Sequence, residues 1–388
     1  MVISVCSTST LTTFFISFGE MALHRVLFAL LLLLTACSNY GLNNTVILDV
    51  GDNFQKANDE NPPFTTFIIK SGGHYLQSVQ NPKVGNKWIG EEGTILDGYD
   101  EISEAFSGVA RHITIQHIKF RNYVDNGINF RSGKNIFIDN VHIRDTGSGD
   151  GNRNGAIRVA NVTGLTVTNS HFERVTAGIL PTESKGPVVI ERNTALNIGR
   201  NFVQLDQVKG EGIRVRYNSM ERNGDELRPG ASDVEDWISV HMVMGMPLDP
   251  AQISFNRARG HGPSESGAFI ILGDGGGRYI IAEGNVGVRP GQVGIGIAGG
   301  SFIRVNDNIM YSSNSEVSNV AYYSANITDA RDCLYHTIQN NRANWENGVD
   351  QNNFWSDRAC EVKEVGNIFP DLSITDRIWY EAEKFNGF

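Results

Sequence analysis

The chain of 388 residues carries 33 Lys and Arg against 43 Asp and Glu, a formal net charge of −10. Proteins that bind nucleic acid present a basic face to the phosphates, so this balance argues against a nucleic-acid partner. It does not exclude an anionic glycan, because such binding depends on the local field within a groove. The length would suffice for two globular domains, although a single solenoid can also absorb it.

Residues 1–37 are predicted to be a leader, with Met21 as the expected start of translation. Arg25 precedes an apolar stretch whose length is typical of a signal peptide and short for a membrane span. This stretch ends in Leu34-Thr-Ala-Cys37, which resembles a bacterial lipobox. The resemblance implies lipidation of Cys37 and a lipoprotein of the cell envelope, with Ser38 favouring the outer membrane. The alternatives are a simple transmembrane anchor or an unlipidated secreted protein.

From His112 to Gly300 the chain repeats short runs in which apolar and polar residues alternate, as in β-strands. The first run of each repeat begins at His112, Asn135, Leu165, Val188, Ile213, Ala251, Tyr279 or Ser301. The second runs span residues 127–130, 156–159, 177–180, 202–205, 237–240, 269–272 and 294–297. Strands this short, repeated roughly every 20 to 30 residues, bury their apolar side only by stacking on copies of themselves.

An asparagine closes the first run in most repeats. These residues are Asn140, Asn169, Asn193, Asn218, Asn256, Asn285 and Asn308. An asparagine tolerates left-handed backbone geometry, and its amide can bond to the amide of the next coil. With this pattern the sequence resembles the right-handed parallel β-helix proteins of the pectate-lyase-like superfamily, with PbH1-type repeats and an asparagine ladder between the second and third sheets.

The resemblance implies an all-β, right-handed parallel β-helix over residues 65–345. Residues 38–64 are predicted to form a tether and a cap, in which a helix over 52–60 is stopped by Pro62 and Pro63 and covers the open end. Residues 346–388 lose the repeat and are rich in aromatics, which indicates a C-terminal cap. We expect a monomer.

Two cysteines, Cys333 and Cys360, lie near the C-terminus. In an exported chain they favour one disulfide that pins the end of the solenoid, and the alternative is a pair of free buried thiols.

In the family that the sequence resembles, the second runs form a sheet whose outer face carries the substrate groove. Side-chain alternation turns Ile128 and its equivalents inward and leaves two outward rows. The first row is Asn129, Arg158, Leu180, Gln204, Ser239 and Ile271, and the second is Arg131, Ala160, Thr182, Asp206, His241 and Gly273. Because neighbouring coils are ~4.8 Å apart, Asp206 and His241 are predicted to lie side by side.

These outward residues suit cleavage of a uronate polysaccharide by β-elimination, which needs a cation for the carboxylate, a base and an acid. Arg158, Arg131 or Arg153 could neutralise the carboxylate. His241 could be the base, and Asp206 could orient its imidazole or hold a cation.

Hydrolysis instead needs two carboxyl groups that flank a glycosidic bond, and Asp206 with Asp236 or Glu235 could supply them. The balance of residues favours a lyase slightly, with a hydrolase or a uronate epimerase as alternatives. A non-catalytic surface protein that binds glycan or protein is the alternative from another class. Further candidate substrate contacts are Asn129, Gln204, Ser239 and His261.

A calcium site is a weaker expectation. Asp150 and Asn152 begin a D-x-N-x-N-G pattern typical of a calcium loop, but Asn161 stands where the bidentate Glu belongs. The Cys and His residues show no spacing typical of zinc.

Overall fold

The computed structural model describes residues 2–7, 10–15, 44–149, 154–223, 235–260, 267–313, 317–327 and 332–386. The chain divides into two compact units, Met1–Asn44 and Thr45–Phe388. In the first unit, strands Val2–Ser7 and Thr10–Phe15 pair antiparallel. The Arg25-to-Cys37 segment, which carries the predicted lipidation site, lies outside the described residues.

The second unit is a solenoid built from a bent 23-stranded sheet and an 11-stranded sheet, in which neighbouring strands are parallel. We call the two parts of the bent sheet the A face and the B face. The A-face strands are Val79–Gln80, Glu104–Arg111, Asn126–Asp139, Gly155–Ala160, Ile179–Thr182, Val203–Asp206, Ile238–Met244, Ala268–Glu283, Val293–Ile297, Val320–Ser324 and Phe354–Ser356. Four of these strands, Glu104–Arg111, Asn126–Asp139, Ile238–Met244 and Ala268–Glu283, continue round the bend into the B face.

The remaining strands complete each coil. Those of the B face are Thr45–Leu48, Thr66–Ile69, Lys87–Gly90, Thr114–Gln116, Val162–Thr168, Lys185–Glu191, Ile213–Arg216, Ala251–Ser254, Gly300–Asn306, Cys333–Leu334, His336–Gln339 and Val362–Val365. The 11-stranded sheet, here the C sheet, consists of Gly72–Tyr75, Thr94–Asp97, Lys119–Arg121, His142–Arg144, His171–Glu173, Thr194–Leu196, Ser219–Glu221, Arg257–Arg259, Val286–Val288, Ile309–Ser312 and Arg342–Trp345.

The core fills the interior of the coils, as the alternation of apolar residues predicts. Ile128, Ile157, Val203 and Ile238 stack in register along the A face, and all are fully buried. Side chains of the other parity face the outer side of the sheet, although Asn129, Leu180 and Ser239 of the first predicted outward row are buried there. The sheet therefore presents one long outer surface built from residues of many coils.

A buried asparagine ladder runs along the corner between the B face and the C sheet. At each step the backbone N–H and the side-chain amide of one asparagine donate to the side-chain oxygen of the next, at 2.9–3.2 Å. Its members are Asn193, Asn218, Asn256, Asn285, Asn308, Asn341 and Asn367.

Two asparagines assigned to the ladder from the sequence are not part of it. Asn140 and Asn169 lie one residue earlier, at φ of 51° and 50°, where the chain turns through the left-handed region. Ser170 takes the ladder position in its coil and accepts from the Val141 N–H at 3.2 Å. Asparagine tolerates left-handed geometry, so its presence alone does not separate these two adjacent corner positions.

At the start of the second unit, helix α1 spans Phe54–Glu60, within the predicted range. The Asn53 side chain caps it by accepting from the Lys56 N–H at 2.8 Å, and the helix ends before Pro62. The Phe54 ring packs against that of Trp88 with centroids 6.0 Å apart, which ties the helix to the core. Its role as a cover for the end of the solenoid stays a prediction.

Parallel pairing continues past residue 345, because Phe354–Ser356 and Val362–Val365 add to the preceding coil. The disulfide Cys333–Cys360, predicted from the sequence, joins these last coils. Helix α2, Ile378–Asn386, buries Trp379 in a small cluster with Val286 and Val288 of the C sheet. Neither helix of the described chain is long and apolar enough to cross a membrane.

Candidate functional site

The predicted contact between Asp206 and His241 is present on the outer side of the A face. The two residues are paired in register on adjacent strands, and His241 Nδ1 lies 2.8 Å from Asp206 Oδ1. Their side chains are 34% and 24% exposed, so both are accessible from solvent. The carboxylate fixes the imidazole through Nδ1 and leaves Nε2 for other partners.

The residue beside His241 in the next coil is Asp274, not the predicted Gly273. A β-bulge shifts the register after Val240, so that His241 pairs with Asp274. Gly273 adopts φ +69°, and a Cβ there would lie 2.3 Å from the Gly299 carbonyl oxygen, which only glycine avoids. The bulge therefore places the Asp274 carboxylate, instead of Gly273, next to His241 in the outward row.

Asp236 lies two residues before the first residue of the strand Ile238–Met244, and its Oδ1 accepts from the Ala268 N–H at 3.0 Å. Burial raises the pKa of Asp236 to about 7, and the negative charges of Glu235 and Asp274 add to this effect. The Ala268 N–H and Arg200 act in the opposite direction. The site therefore holds one carboxyl group, that of Asp236, which is about half protonated near neutral pH.

Two arginines stand near this carboxyl, but other groups occupy them. Arg200 Nε lies 2.7 Å from Glu235 Oε2. Arg222 is buried, donates to the carbonyls of Ile198 and Gly199, and stacks 4.0 Å from the Trp237 ring centre. Burial lowers the pKa of Arg222 to about 9, and the charge of Asp236 opposes this shift.

Tyr323 contributes an aromatic ring to the same surface. It pairs in register with Gly296, and a Cβ on that glycine would lie 2.4 Å from the ring. The ring also stacks on Trp355 with centroids 5.3 Å apart. Burial raises the pKa of Tyr323, and the charges of Asp236 and Asp274 raise it further, so the phenol stays neutral and can donate a hydrogen bond.

Comparison with known proteins agrees with this architecture. Residues 105–237 match the family described as right-handed β-helix region. The chain is a right-handed parallel β-helix. No curated protein matches its sequence.

Solved structures share the β-helix fold at low sequence identity. The catalytic domain of a GH87 α-1,3-glucanase, in complex with tetrasaccharides, has a TM-score of 0.52 at 13% identity, covering 84% of this chain and 69% of that one. GH136 lacto-N-biosidase from Eubacterium ramulus has a TM-score of 0.52 at 11% identity, covering 86% and 69%. Mannuronan C-5 epimerase from Azotobacter vinelandii has 0.43 at 13%, covering 87% and 95%.

The other predicted site residues of the β-helix are dispersed along the A face. Asn129 and Arg158 pair with each other in register, and Arg158 lies two coils before Asp206. Gln204 and Ser239 pair with each other in the same two coils as Asp206 and His241. Asn129 and Ser239 are buried although they point outward. Arg131 is exposed at a bulge between Phe130 and Ser132.

The pair of carboxyl groups predicted for hydrolysis, Asp206 with Asp236 or Glu235, stays a prediction. The acids that raise the pKa of Asp236 are Glu235 and Asp274, while Asp206 is bonded to His241. Arg153, His261 and the calcium candidates Asp150 and Asn152 lie outside the described residues.

Sequence reasoning missed Tyr323 and the two histidines of the C sheet, His142 and His171. Tyr323 belongs to a strand beyond the last run recognised in the repeat. His142 and His171 belong to different coils, so no spacing motif links them. Burial lowers the pKa of His142 to about 4 and that of His171 in the same direction, which keeps both imidazoles neutral at pH 7.

Proposed function

We propose that this β-helix is a glycan-active enzyme that hydrolyses glycosidic bonds in the groove of the A face. The observation that carries the proposal is the gathering of Asp236, Asp274 and the Asp206–His241 pair on three successive coils. Hydrolysis of a glycosidic bond uses one carboxyl that donates a proton and one that is ionised. Asp236 is the proposed acid and Asp274 the proposed partner.

The charge of the site favours a neutral glycan over a uronate. Four acidic side chains, those of Asp206, Glu235, Asp236 and Asp274, stand at the site, while Arg200 is paired with Glu235. A uronate carboxylate there would meet net negative charge. The glucanase with the same fold that is in complex with tetrasaccharides supports a glycan as the ligand.

Elimination from a uronate is the second candidate, and the Asp206–His241 contact favours it. An imidazole held through Nδ1 presents Nε2 as a base, which β-elimination requires. Arg158, whose side chain makes no hydrogen bond or ion pair within the described chain, could then neutralise a substrate carboxylate. A uronate epimerase would use the same base but would leave the glycosidic bonds intact.

The two reactions are distinguished by their products. The protein is incubated with neutral glycans and with uronates, with and without calcium, and reducing ends and unsaturated products are measured separately. New reducing ends without absorbance support hydrolysis, both together support a lyase, and uronate inversion without either supports an epimerase. Retention on a glycan without turnover would support the non-catalytic binder and overturn the enzyme.

Variants then assign the roles. Asp236→Asn and Asp274→Asn should each abolish hydrolysis, whereas His241→Ala should abolish elimination. Asp307→Asn is the matched control, since Asp307 occupies a left-handed turn between the B face and the C sheet, away from the groove. Loss of activity in that control would indicate a structural cause.

We also propose that the protein is anchored to the bacterial envelope through a lipid on Cys37. Expression of the full chain in a bacterial host, followed by detergent phase partitioning, tests this. The unsubstituted protein should enter the detergent phase and Cys37→Ser the aqueous phase; equal partitioning would contradict the anchor.

A further inference from the structure

The C sheet carries a cluster of metal-binding side chains on its outer surface. His142 and His171 are paired in register on adjacent strands, with ring centroids 4.7 Å apart, and Glu173 follows His171 on the same face. One ligand atom of each of the three residues lies within 4.8 Å of the others. The buried Ile143 and Phe172 alternate with them and fix their outward direction.

Neighbouring residues hold two of these three side chains. His171 Nδ1 lies 2.6 Å from Thr194 Oγ1, which leaves Nε2 as the second nitrogen. His142 Nε2 is 3.6 Å from Glu173 Oε2 and, within the described chain, is buried without a hydrogen-bond partner. The other oxygen of Glu173 is held by Arg174 Nη1 at 2.7 Å.

We propose that His142, His171 and Glu173 bind a divalent metal of the Zn²⁺ class. Two imidazoles and one carboxylate form a ligand set that suits zinc, with metal–ligand bonds of about 2.0–2.2 Å. The donors are farther apart than a tetrahedral site requires, so the partly exposed side chains must turn inward by roughly 1 Å. The Thr194 hydroxyl and Arg174 are the outer partners that such ligands need.

Three protein ligands leave one coordination position open. His142 and His171 line a cavity of about 570 Å³, together with His117, Lys119 and Asn140. A water molecule or a small anionic ligand fits this position. The site lies on the C sheet and uses none of the groove residues, so it is independent of the proposed hydrolysis.

Lys119 limits the affinity of the site. It is exposed and pairs in register with His142 on the preceding strand, so its ammonium repels a bound cation. The exposed position allows its removal without loss of packing. Lys119→Ala should therefore bind the metal several-fold more tightly than the unsubstituted protein.

The test is calorimetric titration of the chelator-treated protein with ZnCl₂. His142→Ala and Glu173→Gln should each weaken binding at least tenfold and Thr194→Val about tenfold. His117→Ala, which alters the same cavity outside the ligand set, should change affinity less than twofold. Co²⁺ in place of Zn²⁺ should give the visible bands of tetrahedral coordination.

Three outcomes would overturn the proposal. These are the absence of binding in the unsubstituted protein, equal binding by His142→Ala, and equal loss in His117→Ala. The melting temperature of each variant is measured in EDTA to show that the variant is folded without metal. If a ligand variant does not fold, Thr194→Val and Lys119→Ala, which leave all three ligands in place, still test the proposal.

Discussion

His241 and Asp206 are separated by 35 residues, yet His241 Nδ1 lies 2.8 Å from Asp206 Oδ1 because successive coils place them side by side. We predict that His241→Ala and Asp206→Asn each lower turnover by about 10²–10⁴-fold if the imidazole transfers a proton. Stability should change by less than about 1 kcal/mol, because both side chains are partly exposed on the outer side of the sheet and neither belongs to the core. Steady-state rates and thermal unfolding measure both, and a large loss of stability would place the pair in a structural role.

Asp236→Asn should abolish activity and yet stabilise the fold at neutral and alkaline pH. The pKa of Asp236 is raised to about 7 in the folded state, above its ordinary value of 3.8. Between these values the unfolded chain loses its proton first, so stability of the unsubstituted protein falls as pH rises, by at most about 1.4 kcal/mol per unit. Below pH 3.8 the Asp236 carboxyl group is protonated in both the folded and the unfolded state, so it does not affect stability. Above about pH 7 it is ionised in both states, and its contribution to the free energy of unfolding no longer changes with pH.

Denaturant unfolding at pH 3.5, 5.5 and 8 checks this dependence. The stability advantage of the Asn variant should be small at the lowest pH and largest at the highest. An advantage that does not vary with pH would mean that Asp236 is ionised throughout.

The asparagine ladder supports a prediction about stability alone. Asn256→Ala removes the acceptor for two donors of Asn218 and leaves the Val215 carbonyl without its amide partner. We expect a loss of about 2–4 kcal/mol from these buried groups. Asn140→Gly, at the neighbouring left-handed corner, should cost less than about 1 kcal/mol, because glycine adopts that geometry freely. Similar losses in both would contradict the separation of the two positions.

The disulfide should stabilise the last coils. Cys333 and Cys360 are 27 residues apart, and closing a loop of this length stabilises by about 3–4 kcal/mol in the chain-entropy model. Cys333→Ser with Cys360→Ser should lower the melting temperature, and proteolysis should begin in the C-terminal coils. A reductant should have the same effect on the unsubstituted protein and none on the double variant.

The fold follows from the sequence because its signals are local and repeated. Alternation along each run fixes which side chains enter the core, and parallel stacking then brings Asp206 to His241 without further information. The sequence could not predict that Asp274, and not Gly273, lies beside His241, because this register depends on a one-residue bulge beside the Gly299 carbonyl.

Other parts of the site depend on contacts between coils that carry no sequence motif. Asp236 gains its raised pKa from burial and from charges that belong to its own and the next coil. His142 and Glu173 come together only because their strands are neighbours in the C sheet. Spacing rules written for one loop or one helix do not find such groups.

The asparagine ladder spans only the coils from Asn193 onward. In a solenoid each coil depends on its immediate neighbours, so local opening is governed by the weakest junctions. Coils without these buried amide bonds should fray first and exchange their backbone protons fastest. The Asp206–His241 pair lies within the ladder-bearing part, where such opening should be rarest, so its geometry should be held more firmly than that of the earlier coils.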